Sequence, residues 1–203
     1  MRAFVDLLDD VSPFSLARLV DQAAVAGSLD AAGPDADLHV AGADDHVLKV
    51  VAFDGVEAVN APYTFEVVFL APTGDEDFLG NALGQSARLR LGRGPGGRDI
   101  HGLVLEVALL SAGAQGALYR LKLGPRLSAL AFTRQSKVFQ NKSAAEVIAE
   151  VLQERGVEHR LALSQRPPVR AYCVQYEESD LEFVSRLVAE EGWVTFFDHG
   201  VEG

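Results

Sequence analysis

The stretch from Arg170 to Phe197, RAYCVQYEESDLEFVSRLVAEEGWVTFF, constrains the fold more than any other part of this chain. Residues 171–176 are rich in aromatic and β-branched side chains, which fit a pleated, half-buried surface. Ser179-Asp180-Leu181-Glu182 has the spacing of a reciprocal capping box, in which hydroxyl and carboxylate each satisfy a free backbone N–H. Leu181, Val184, Leu187 and Val188 follow at helical intervals and form one apolar stripe. Gly192 stops the helix, since it reaches positive φ without penalty. Residues 193–197 then alternate as a second strand. The block predicts strand, capped helix and strand in succession, a rigid adaptor without visible chemistry.

The rest of the chain divides into three zones. In residues 1–45, Ser12-Pro13 supplies an N-cap and first helical position. Leu16, Leu19, Val20 and Ala23 make a short amphipathic helix over 12–27, read as a cover for a sheet edge or a mobile tail, with a docking element as the alternative. Residues 31–37 read as a linker. Residues 46–135 look all-β, with strands expected at 46–53, 63–70, 87–91, 100–110 and 118–123. Turns are expected at Asp54-Gly55, Ala71-Pro72-Thr73-Gly74, residues 92–97 and Ser111-Ala112-Gly113, a pattern of small barrels or sandwiches. Residues 141–203 read as α+β. Ser143-Ala144-Ala145-Glu146 is a second capping box, with Val147, Ile148, Val151 and Leu152 as its stripe and Gly156 as its stop.

Composition excludes several classes. A chain of 203 residues, nearly half hydrophobic, can bury a core in one large or two small domains. No apolar run approaches the roughly 20 residues of a membrane span. Asp6, Asp9 and Asp10 stand where a secretory signal needs basic and then apolar residues. Cys173 is the single cysteine, so an internal disulfide is impossible. Residues 1–80 hold three basic side chains against fifteen acidic ones, while the remainder is nearly neutral. That balance argues against a nucleic-acid partner, whose phosphates demand cations.

Four features invite a catalytic reading. The loop Gly92-Arg93-Gly94-Pro95-Gly96-Gly97-Arg98 is Gly-rich and basic, but it lacks the Gly-Lys-Ser/Thr and following helix of a phosphate loop, so a hairpin tip is expected. Asp99 and His101 share a strand face. No nucleophile motif accompanies them, and a structural histidine is the simpler reading. Cys173 lies in an apolar strand, where packing rather than a reactive thiolate is expected. Glu177, Glu178, Asp180 and Glu182 cluster at a helix start, where the dipole favours acids. Glu190 and Glu191 sit at the opposite, unfavourable end, which calls for a partner such as Arg186 or a neighbouring subunit. His39, His46, His159 and His199 are scattered. No catalytic residue, metal site or cofactor is therefore expected.

Six ordered motifs carry a family resemblance. They are Pro62-Tyr63-Thr64-Phe65-Glu66-Val67, Leu79-Gly80, His101-Gly102, Tyr119-Arg120-Leu121-Lys122-Leu123-Gly124-Pro125, Phe139-Gln140-Asn141-Lys142-Ser143, and the block described first, with Tyr172-Cys173-Val174-Gln175-Tyr176, Phe183, Arg186-Leu187 and Glu190-Glu191-Gly192. Together they resemble the VgrG family, spike proteins at the tip of the bacterial type VI secretion system, over residues 47–199. The helix over 12–27 departs from that pattern, which enters its first strand earlier.

The resemblance implies an α+β, β-rich fold: a small antiparallel β-barrel of tail-hub type, followed by an α+β insert with two capped helices. The implied domains are 1–45 (helix and linker), 46–138 (barrel hub) and 139–203 (insert), the chain stopping before a second barrel and needle. It implies a homotrimeric hub joining a hexameric Hcp tube to a needle with a PAAR tip, carrying effectors and meeting baseplate components. It implies no enzyme, no nucleic acid and no stable membrane insertion. Assembly in the bacterial cytoplasm would precede secretion through the apparatus to the exterior or a target cell. Two other readings stand beside it: a contractile-phage late-control or tail-hub protein, and a carboxylate-dependent enzyme or carbohydrate-binding module. A pocket with perturbed titratable groups would mark the last.

Overall fold

The computed structural model describes residues 34–43, 48–71, 81–92, 94–113 and 116–200. The expected helix over 12–27, the Leu79-Gly80 motif, His46 and Arg93 lie outside them. The chain forms two compact units, one from the described parts of 1–56 and 64–123, the other from 57–63 and the described parts of 124–203.

The first unit is built on a six-stranded sheet in the order β1-β4-β5-β6-β3-β2. Its strands are β1 (Ala36–Val40), β2 (Lys49–Ala58), β3 (Ala61–Ala71), β4 (Ser86–Leu91), β5 (Arg98–Gly113) and β6 (Gly116–Gly124). The sheet is antiparallel and curls into a half-barrel, as the β-rich α+β expectation required. Period-two burial organises it. Phe65, Val67 and Phe69 of β3 stand opposite Leu123, Leu121 and Tyr119 of β6, and all six are buried. The Phe69 and Tyr119 rings stack at 5.6 Å and 18°. Each such side chain contributes about 1.5–3 kcal/mol by leaving water.

Three expectations on strands and turns are corrected here. The linker expected over 31–37 overlaps strand β1, Ala36–Val40, which pairs antiparallel with β4. Ala36, Leu38 and Val40 point inward and Asp37 and His39 outward, an alternation too short to stand out behind Gly33-Pro34. Asp54-Gly55 is not a turn, because β2 runs straight through it. Glycine is required at 55 by packing: a Cβ there would lie 2.2 Å from the Phe65 ring. The turn falls instead at Val59-Asn60, where Asn60 takes φ 63°, a conformation asparagine tolerates. Likewise β5 continues through Ser111-Ala112-Gly113, which were expected to turn.

The second unit joins a 3-10 turn (Arg126–Phe132), β7 (Arg134–Ser143), α1 (Ala144–Glu154), β8 (Val169–Ser179) and α2 (Asp180–Glu190). β7, polar and unforeseen as a strand, pairs antiparallel with β8. Gly156 and Gly192 take φ 64° and 67° just past the two helices, as expected of helix stops. Val147, Ile148, Val151 and Leu152 of α1 meet Phe183, Val184, Leu187 and Val188 of α2, with Phe139 and Cys173 from the sheet between them. Leu181, expected in the α2 stripe, is only half-buried, and Phe183 takes the central place, stacked on Phe139 at 5.6 Å. Residues 193–197 do not form a strand. They are held to the Asn60 turn, with Asn60 N donating to Thr195 O (2.9 Å) and Thr195 N to Asn60 Oδ1 (2.7 Å). The Tyr63 ring meets Phe197 and His199 edge-on, at 5.1 and 4.7 Å.

Candidate functional site: a polar network in the α+β unit

Both capping boxes form. Glu182 N donates to Ser179 Oγ (3.1 Å) while Ser179 N donates to Glu182 Oε2 (2.7 Å). At α1 the corresponding bonds are 3.4 Å from Glu146 N to Ser143 Oγ and 2.8 Å from Ser143 N to Glu146 Oε2. The bond from the cap's backbone N–H is the main reason that the Glu146 and Glu182 carboxyls sit below the ordinary range.

Asp180, the first residue of α2, is fully buried. Its place in the first turn, where dipole and cap favour an acid, is therefore not the full account that was expected of it. Its Oδ1 accepts from Gln135 Nε2 (2.7 Å) and Gln175 Nε2 (2.8 Å). Its Oδ2 accepts from Thr133 Oγ1 (2.8 Å) and Arg155 Nε (2.6 Å). Burial pushes the carboxyl pKa up, but the hydrogen bonds from Gln175, Thr133, Gln135 and Arg155 outweigh it, and the net shift is downward. One carboxylate thus ties together the end of the 3-10 turn, β7, the α1 cap and β8. The signal in the sequence was Gln175, a polar residue two positions from buried Cys173 and so on its inward face.

A second cluster resolves the acids at the α2 C-terminus. Arg170 of β8 donates from Nη1 to Glu190 Oε2 (2.7 Å) and from Nη2 to Glu191 Oε1 (2.6 Å). Arg186 Nη1 reaches Glu190 Oε1 at 2.8 Å, as its i, i+4 spacing allowed, and its Nη2 reaches Glu178 Oε1 at 2.6 Å. The unfavourable helix-end charge is offset within the unit. Arg170 was missed because it lies 20 residues from Glu190.

The remaining candidates are placed as follows. Gly92 and residues 94–97 lie between the antiparallel strands β4 and β5, with Arg90 Nη2 donating to Gly94 O (2.9 Å). Asp99 pairs with Arg90 across the strands at 2.9 Å, and His101 stands opposite Arg88. Cys173 is buried, and desolvation pushes its thiol pKa up, away from the thiolate. Glu177 lies on β8 at φ 46°, beside the irregularity between Gln135 and Lys137. His39 is exposed on β1, His159 Nδ1 lies 3.0 Å from Val157 O, and His199 Nε2 lies 3.1 Å from Glu57 Oε1. Among the described residues, no three His, Cys, Asp or Glu side chains gather as metal ligands would. No helix among them is long and apolar enough to cross a membrane.

A curled antiparallel sheet and a doubly capped α+β unit, held by packing and ion pairs, define a structural module of tail-hub type. The match to known proteins agrees: residues 56–203 fit the phage tail baseplate hub (GPD) family, and the chain belongs to it. It is 39% identical to the type VI secretion system spike protein VgrG4b of Pseudomonas aeruginosa strain PAO1, over 77% of this chain and 19% of that protein. It is 33% identical to the actin cross-linking toxin VgrG1 of Vibrio cholerae strain O395, over 80% of this chain and 16% of the toxin. The chain thus spans about a fifth or less of the length of these relatives. Among solved structures, the Escherichia coli c3393 protein superposes with a TM-score of 0.64 at 27% identity, covering 76% of this chain and 43% of that one. It is described as a type VI secretion component with structural similarity to the T4 tail proteins gp27 and gp5. The VgrG resemblance read from the six motifs is borne out.

Proposed function

We propose that this chain is hub structure of a type VI secretion spike, linking a tube of Hcp hexamers to a needle and its PAAR tip. The observation that carries the reading is the hub-family match over residues 56–203, joined to spike-protein relatives. The protein works as a homotrimer against baseplate components. It assembles in the bacterial cytoplasm and leaves through the apparatus with its effectors, a role supported by a relative that is named as a toxin. No residue of the chain acts in catalysis. Supporting this, Glu178, Asp180, Glu182, Glu190 and Glu191 are each committed to a cap or a cation. Within this region there is also no nucleic-acid partner and no stable membrane insertion.

Native mass spectrometry of the protein expressed from its full reading frame tests the proposal. A trimer that captures an Hcp-type ring is expected; a monomer that captures none overturns it. The second reading, a contractile-phage tail hub, is favoured by the family's own name. It predicts capture of a phage tail-tube protein in the same experiment.

A further inference from the structure

β8 pairs with β7 along one side, and among the described residues no strand pairs along the other. Residues 171–176, Ala-Tyr-Cys-Val-Gln-Tyr, carry no charge and no proline, and Tyr172, Val174 and Tyr176 are 68%, 46% and 71% exposed. An uncharged, strand-forming edge of this kind is a template for adding another strand.

One contact stands in the way. Arg186 Nη2 donates to the Val174 carbonyl at 3.0 Å. The guanidinium is fixed there: its Nε and Nη2 donate to Glu178 at 3.2 and 2.6 Å, and its Nη1 to Glu190 at 2.8 Å. It also lies 5.3 Å from the Phe183 ring centroid. In an antiparallel ladder, a residue's N–H and C=O point to the same side. A Val174 carbonyl reached by a side chain therefore marks the open edge at that residue.

We infer that Arg186 is an edge guard, occupying the Val174 carbonyl so that β8 does not add the β8 strand of a second copy. A second copy fits because Tyr172, Val174 and Tyr176 read the same in both directions. Antiparallel pairing centred on Val174 sets each tyrosine opposite a tyrosine, and aromatic cross-strand pairs are favourable. Glu178 and Glu190 hold the guard in place, and Arg170 holds Glu190 from the other side. The inference does not depend on the hub reading.

Sedimentation velocity on this 203-residue chain, over a range of micromolar concentrations, tests it with far-UV circular dichroism as the check of folding. R186M removes the guanidinium and keeps an apolar stem. Its weight-average mass is expected to roughly double relative to wild type as concentration rises, as for pairing between two copies. Adding V174K, which puts a charge beside the opened edge, should return the mass to the wild-type value. If R186M does not fold, R186K is read the same way, since one ammonium cannot hold two carboxylates and a carbonyl in the planar fork of arginine. A folded variant with wild-type mass at every concentration overturns the inference, and so does a mass gain that V174K leaves untouched.

Discussion

Arg155 Nε donates to Asp180 Oδ2 at 2.6 Å, joining the C-cap of α1 to the first residue of α2 across 25 positions of sequence. Three further side chains, Thr133, Gln135 and Gln175, donate to the same carboxylate. Its removal leaves a half-exposed cation and three polar groups without their acceptor. D180A should therefore lose about 3–5 kcal/mol, toward the lower end because Arg155 can rehydrate. Urea unfolding at neutral pH measures it, and a loss below the range of an ordinary surface substitution would show that the node is not structural.

Acid should unfold the protein through the same group. Asp180, Glu182 and Glu190 all have lowered pKa values in the folded state, so each binds its proton more weakly folded than unfolded. The stability they contribute is complete above the unfolded carboxylate pKa of about 4 and is lost as pH falls through the folded values. Urea midpoints should stay level from neutral pH to about pH 5 and drop below about pH 4. The D180A profile should be flatter; an identical slope would count against Asp180 as the source.

The caps are separable from the network. S143A and S179A each remove a hydroxyl that accepts from the third helical residue. Each should cost about 0.5–2 kcal/mol. Thermal melts read this directly, and an unchanged Tm in either variant would refute that cap.

Gly55 makes a prediction in the first unit. The Cβ added by G55A meets the Phe65 ring at 2.2 Å, which forces the ring or strand to shift. Overpacking of this kind costs about 1–3 kcal/mol. The double variant G55A/F65L should recover part of it. G113A, where a Cβ meets nothing within 4 Å, is the control and should unfold like wild type.

What the sequence by itself determined is what depends on near neighbours. Both capping boxes, both apolar helix stripes and the glycine stops at 156 and 192 lie within a turn or two, so residue type and spacing specify them. Long strands such as β3 and β6 were legible because one buried face repeats at period two. The family resemblance was legible for the same reason, as a series of short ordered motifs. The tertiary structure alone decided the rest. Gly55 looked like a turn because only the neighbouring strand reveals the Phe65 ring above it. Residues 193–197 looked like a strand because composition does not say which backbone groups find a ladder. Asp180 looked like a helix-end charge, and Glu191 like an acid in want of a partner, because Arg155 and Arg170 lie more than 20 residues away from them. Local spacing encodes the bonds a segment makes with itself; a buried charge acquires its partners only when distant segments are brought together by packing.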